Sequence, residues 1–429
     1  MIKTLLTIGA ILFSYGLLLL ANGLFATLLG VRTQVEGFSS DLTGLIVASY
    51  FSGLLLGGLF AAGVVTRVGH IRSFAAFASL MSVSALMHPI FVHGVAWMGF
   101  RLVAGFCMAG MIIVTESWLN ETATNRTRGK ILSIYMITNY FAAGTGNFLL
   151  TVGDPSDFEL FSLASIIFSL SLVPVLLTRA KAPSPPKPER MHVWELYRIA
   201  PLGVVGVFCC GLVNASINGL GSVFATNIGF DQHQLATFMA VMVMSGLILQ
   251  WPVGHLSDRL GRGPLLVYIP LVVGLAAIWQ LFAEGFAQVL AGAAFLGAFV
   301  FTLYSLSAAT ANDHVSSDQR VQVAGALLIT YGAGAVTGPI IAGRVMSIMG
   351  PQGLFFYIAL IELVLCAFAI MTRGQRVGSP EKRKPFVAVP STQATSNQLY
   401  VSVHQAKPEH VREPEDSDHV QWKVPGEND

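Results

Sequence analysis

A chain of 429 residues, 54% hydrophobic and only 11% charged, carries less than half the roughly 25% charge of an average soluble domain. Its net charge of +2 leaves no electrostatic footprint for a nucleic-acid partner. The four cysteines, Cys107, Cys209, Cys210 and Cys366, sit inside apolar runs without metal-ligand or disulfide-framework spacing, so neither a metal nor a cofactor is expected.

The first apolar run extends from Leu5 to about Val31. That exceeds the about 7–15 residues of a leader and reaches the about 20 needed to cross a bilayer, so it is expected to be a membrane helix. Eleven more runs of spanning length follow, near 42–65, 73–92, 95–117, 131–152, 159–178, 200–226, 233–253, 264–283, 286–310, 322–347 and 352–372. The class is therefore an all-α membrane protein with twelve transmembrane helices. Positive residues orient it. Lys3, Arg67, Arg72, Arg126, Arg128, Lys130, Arg259, Arg262, Arg320 and Arg373 fall on one side, Arg32 and Arg344 on the other. Both termini are accordingly expected in the cytoplasm, in a cell inner membrane.

Residues 179–198 include Pro183, Pro185, Pro186 and Pro188, a density that makes a semi-rigid linker. It separates six helices in 1–178 from six in 199–374. Residues 375–429, with Lys382-Arg383-Lys384 and Glu413-Pro414-Glu415-Asp416, lack the apolar content to pack and read as a disordered cytoplasmic tail. The halves repeat. Arg67 and Gly69 correspond to Arg259 and Gly261, and Gly37-Phe38 to Gly229-Phe230, all at an offset of 192 residues.

The turn Gly254-His255-Leu256-Ser257-Asp258-Arg259-Leu260-Gly261-Arg262 joins two apolar runs. Its pattern G-x-L-S-D-R-x-G-R resembles the loop signature of the major facilitator superfamily. The stretch Glu116-Ser117-Trp118-Leu119-Asn120-Glu121 through Arg128-Gly129-Lys130 is similar to a bacterial permease subfamily (YcaD-like), a resemblance that covers most of residues 20–375. It implies two pseudo-symmetric six-helix bundles with a substrate between them, and a conformational latch. By that resemblance the latch would comprise Gly254, Asp258, Arg259, Gly261, Arg262, Arg67, Gly69, Glu121 and Arg128. The first-half turn departs from the pattern, with Thr66 where an acid is expected.

Charges inside membrane helices are functional candidates by default. Arg101, in Arg101-Leu102-Val103-Ala104-Gly105, resembles the superfamily's helix-4 motif, which links its arginine to proton coupling and substrate binding; the alternative is an arginine reaching the outer interface. Glu116 is either a proton-exchanging carboxylate or part of an ion-pair latch near a hydrated interface. Glu362, in the last run, is expected to be a protonated acid bonded to a neighbouring helix. Asn22, Asn139, Tyr140, Asn214, Asn218 and Tyr304 are polar residues expected along a pathway for substrate or protons. Gly334, Gly338, Pro339 and Gly343 suit close helix packing with a bend. They resemble a motif of drug exporters, displaced here from helix 5 to helix 11.

These readings imply a secondary transporter of a small solute, working by alternating access, proton-coupled and exporting by antiport. The alternatives are a proton-linked importer of a metabolite, then a membrane enzyme or channel. The expected partners are a small-molecule substrate, protons and the lipid bilayer, with the chain acting as a monomer. No catalytic residues are expected.

Overall fold

The computed structural model describes residues 2–123, 127–177, 191–316 and 319–372. Helix 1 is Ile2–Val35, helix 2 Ser40–Val68, helix 3 His70–Ile90, helix 4 Gly94–Thr122, helix 5 Arg128–Phe148 and helix 6 Glu159–Leu177. After a short helix at Val193–Ile199, helix 7 is Pro201–Asn227, helix 8 Gln232–Leu260 and helix 9 Arg262–Phe282. Helix 10 is Gly285–Asp313, helix 11 Arg320–Met349 and helix 12 Gly353–Met371. The expected tail and residues 179–190 of the expected linker lie outside the described residues.

Eleven of the described helices are long and apolar enough to cross a membrane. Helix 5 falls short because it carries Tyr135, Asn139, Tyr140 and Asn147, and all four are buried. Hydrophobic residues are needed on the outside too, where lipid replaces water. Phe13, Phe60, Ile90, Trp251 and Phe282 are each more than half exposed there. Three runs are not continuous helices: helix 6 breaks at Ser171, helix 8 at 246–249 and helix 10 at Phe301. Continuous apolarity conceals such breaks, since a span must be apolar whether or not its ladder is intact.

The sequence repeat is a repeat of backbone. Gly37 and Gly229 have φ of 72° and 83°, and Gly69 and Gly261 have 95° and 88°, the left-handed region open to glycine. Helix 2 is capped by the Ser39 side chain, which accepts from Leu42 N, and helix 8 by Asp231, which accepts from Gln234 N. The caps lie at the same offset as the glycines. Each satisfies an otherwise orphaned donor at a helix start.

Helices 2 and 4 cross backbone to backbone. A Cβ on Gly57 would stand 2.6 Å from Ala109 Cβ and 2.7 Å from Phe106 O, and Gly53 and Gly105 are as tightly faced. Overpacking costs about 1–3 kcal/mol where a core can adjust, and here one neighbour is backbone. Gly57→Val should therefore lower the melting temperature of the detergent-solubilised protein. An unchanged melting curve would show that the crossing yields.

Candidate functional site

Two ends of the bundle can be told apart by their turns, one at Gly37 and Gly229, the other at Gly69 and Gly261. The halves are sealed towards the Gly37 end. Gly44 of helix 2 faces Pro339 O of helix 11, and a Cβ on Gly343 would lie 2.6 Å from Ser40 O. Gly30 of helix 1 packs on Ser222 of helix 7. Gln232 Nε2 donates to Gly153 O at 2.6 Å and to Leu150 O. An exposed Arg344–Asp41 pair at 3.2 Å closes the rim. Helix 11 has two small-residue faces: Gly334 and Gly338 meet helix 7 at Phe208 and Leu212, whereas Pro339 and Gly343 meet helix 2. The expected packing glycines thus serve both the half-bundle and the junction.

Beneath this seal lies a cavity of about 60 Å³ lined by helices 1, 2, 4, 5, 7 and 8. Asn22, Arg101 and Asn218 line it, together with Thr27, Tyr50 and Asn147, which sequence reasoning had not singled out. Arg101 is 4% exposed. It points inward instead of reaching an interface, about 10 Å along helix 4 from its start at Gly94. Its guanidinium carbon lies 4.0 Å from the Tyr50 ring centroid and 5.3 Å from that of Phe25. The spacing R-x3-G has a local cause: Gly105 lets helix 4 approach the Tyr50 backbone, which brings the ring over the arginine one turn away. Tyr50 OH donates to Asn22 Oδ1 at 3.2 Å. Asn218 Nδ2 donates to Asn214 O at 2.8 Å, and Asn214 is fully buried within helix 7.

A second polar cluster lies deeper in the first half. Glu116 is 4% exposed and accepts from Tyr135 OH at 2.9 Å. Tyr15 OH lies 3.2 Å from Tyr135 OH, the rings stack at 4.8 Å, and Asn139 Nδ2 donates to Tyr15 OH at 2.6 Å. Glu116 is therefore enclosed by protein, not set at a hydrated interface as its place near the helix end had suggested. The reason is that helix 4 continues to Thr122, so Glu116 lies more than a turn before its end, in a stretch still packed through Leu119.

The breaks in helices 8 and 10 meet at Gln250. Its Nε2 donates to Phe301 O at 3.1 Å and to Tyr140 OH of helix 5, across the junction, at 3.2 Å. Tyr304 is buried and set edge-on to Tyr331 at 5.3 Å, outside the cavity lining. Glu362 is fully buried, and among the described residues neither carboxyl oxygen has a hydrogen-bond partner; the expected bond to a neighbouring helix is not made among them.

The expected latch residues are divided. Gly254 and Arg262 are buried, whereas Arg67, Glu121, Asp258 and Arg259 are exposed, and the Arg128 side chain lies outside the described residues. Arg262 Nη1 lies 2.5 Å from Asp313 Oδ1 and donates to Ala309 O at 2.6 Å, tying the turn to helix 10 of its own half. At the equivalent position of the first half stands His70, buried against Trp118 at 5.8 Å. Asp313 was not identified from sequence, although its charge at a helix end was visible.

The Major Facilitator Superfamily model matches residues 11–278 and 203–409. An uncharacterized MFS-type transporter of Yersinia enterocolitica is 30% identical over 387 residues, covering 90% of this chain and 98% of that one. One from Enterobacter sp. (strain 638) is 30% identical over 361 residues, 84% of this chain and 94% of that one. Among solved structures, the nucleoside transporter NupG superposes with a TM-score of 0.72 at 14% identity, covering 88% of this chain and all of that one. A bacterial homolog of the human lysosomal transporter Spinster gives 0.70 at 14% identity, covering 88% and 97%.

Proposed function

The chain belongs to the major facilitator superfamily, and on that premise we propose a proton-coupled secondary transporter that exports a small solute by alternating access. The observation carrying this reading is the cavity between the halves, lined by both and sealed on one side by glycine-to-carbonyl contacts. Such a seal holds few long side chains in fixed rotamers, so parting it costs little side-chain reordering. The cavity binds the solute, and the halves rock about it. The same reading sets the protein as a monomer in the inner membrane with both termini in the cytoplasm, on the strength of its positive-residue bias. It also makes the Asp258 turn a latch at the cytoplasmic end.

Coupling is assigned to Glu116. A carboxylic acid buried at a hydrogen-bonded pair of phenols can hold a proton as the neutral acid and release it when water reaches it. Tyr135, Tyr15 and Asn139 carry the hydrogen-bond chain from Glu116 towards helix 1.

Transport is tested in inside-out vesicles, where an imposed pH gradient should drive accumulation of an exported solute. Accumulation in right-side-out vesicles would instead make it an importer. Glu116→Gln keeps the shape and removes the titration. It should abolish gradient-driven accumulation while sparing solute counterflow, which needs no proton. Normal accumulation in this variant would move coupling elsewhere.

A further inference from the structure

Beside the short helix Val193–Ile199, at the Gly261 end of the second half, opens a cavity of about 680 Å³. It is far roomier than the space beneath the seal and falls within the about 300–1,000 Å³ of small-molecule sites. Its walls are the starts of helices 7 and 9 and the last turns of helices 10 and 12. Arg198 lines it, exposed and without an ion pair among the described residues. No described lining residue is acidic, and Asp313, next to the lining His314, is taken by Arg262. Helix 7 starts here without a side-chain cap and with Pro201 in its first turn. Val204 N reaches back to Ala200 O, which leaves Leu202 N and Gly203 N as the open donors of that turn. Helix 9, also without a side-chain cap, brings Gly263 to the same space. Both helix starts add to the positive field of Arg198. Thr310 and Thr372 spend their hydroxyl protons on Leu306 O and Phe368 O. The donors left for the cavity therefore belong mainly to Arg198 and to backbone, a set that suits phosphate.

Depth decides what carries that phosphate. Trp194 and Tyr197 stack at 5.3 Å, Arg198 lies 5.5 Å from the Trp194 ring centroid, and Trp194 is 63% exposed. Such amphipathic rings mark the headgroup level of a bilayer. The cavity is apolar on its inner side, where Leu202 and Ala369 pack with Val267 and Cys366 between helices 7, 9 and 12. Tyr268, Ile370 and Met371 stand more than half exposed on the outer faces of helices 9 and 12, where acyl chains lie. A soluble anion gains nothing from this apolar seam, whereas an amphiphile does. We propose that the cavity binds the phosphate headgroup of an anionic phospholipid from the surrounding bilayer, with Arg198 and the Leu202 and Gly203 amides as donors. A zwitterionic lipid would bring its own cation to a site already positive, so an anionic headgroup is preferred. The inference requires a membrane-embedded chain and is independent of the solute, its coupling and its direction.

The test uses the full chain in vesicles of equal parts phosphatidylglycerol and phosphatidylcholine. The photoreactive residue p-benzoylphenylalanine replaces Thr372, and the mass of the captured species is the readout. Phosphatidylglycerol should be captured in an excess of about fivefold or more, the worth of one basic side chain at an anionic lipid surface. Arg198→Gln should bring capture close to parity, and Arg198→Lys should keep most of the excess. Arg72→Gln removes an exposed charge from the first half at the same end of the bundle and should leave the excess unchanged. Parity in the wild type, or an equal loss in both glutamine variants, reduces the effect to general surface charge and overturns the site. Capture of a peptide of the same chain in place of lipid overturns it as well, because protein would then cover the cavity. Thermal unfolding in detergent separates lipid from free phosphate. Added phosphatidylglycerol should raise the melting temperature, and inorganic phosphate at matched concentration should not. An equal rise with both assigns the cavity to a soluble anion and overturns the lipid.

Discussion

Arg262→Ala is expected to cost the second half about 3–5 kcal/mol, the penalty for breaking a buried ion pair from one side. The Asp313 carboxylate would keep its place at the end of helix 10, with only 8% of its side chain exposed, and lose the cation 2.5 Å away. Ala309 O would lose its donor as well. Thermal unfolding in detergent should show a large fall in melting temperature. The double replacement Arg262→Met with Asp313→Leu should recover most of it, because no unpaired charge then remains buried. A single variant as stable as the wild type would show that the pair is hydrated, and the buried-pair account would fail. The first half offers an internal control. There His70 stands where Arg262 does, packed on Trp118 and without an ion pair among the described residues, so His70→Leu removes packing but leaves no stranded charge. Its cost should be clearly the smaller.

Gly44→Leu is expected to abolish transport while leaving the protein folded. The new side chain would grow from a position already against Pro339 O, and the Gly343 backbone stands immediately behind. Backbone cannot step aside as a flexible side chain does, so helices 2 and 11 must separate at this end. Each half keeps its own core, because the clash lies between them. The result should be a transporter held open at the Gly37 end. Spin labels at positions 41 and 344, whose native side chains meet at 3.2 Å, would report a longer mean distance in the variant. Removing that exposed native pair for labelling changes stability little, within about 0–1 kcal/mol. An unchanged distance together with normal transport would show that helix 11 bends at Pro339 to admit the side chain. The consequence would be a looser seal than the glycines suggest.

The parts of this fold that were legible in the sequence are those where water or lipid selects residues independently of neighbours. Spans, turns and the offset of 192 residues fall in that class, because hydrocarbon excludes charge and a left-handed turn requires glycine at both Gly69 and Gly261. Arg101 and Glu116 stood out for the same reason. What stayed hidden depends on partners brought from other helices. Tyr15 and Tyr135 are 120 residues apart, and nothing local marks either as half of a pair. Tyr50 was equally unremarkable until Gly105 placed it over Arg101. The helix breaks were hidden because helices apolar on every side show no inward stripe. Gln250 was the available signal: an uncharged but strongly polar side chain in mid-span, next to Trp251-Pro252.

The interruption of helix 8 at 246–249, with that of helix 10 at Phe301, has a consequence for isotope labelling. Amides in an unbroken membrane helix are shielded twice, by their own ladder and by the absence of solvent. Irregular backbone within a span is tolerated where protein or a water-filled path surrounds it, and here Gln250 bridges the breaks from within the fold. Deuterium should therefore enter this pair of helices from their middles during turnover, while their flanks stay protected. Uptake there would count the visits of water to the centre of the molecule, giving a clock for its working cycle that requires no knowledge of its cargo.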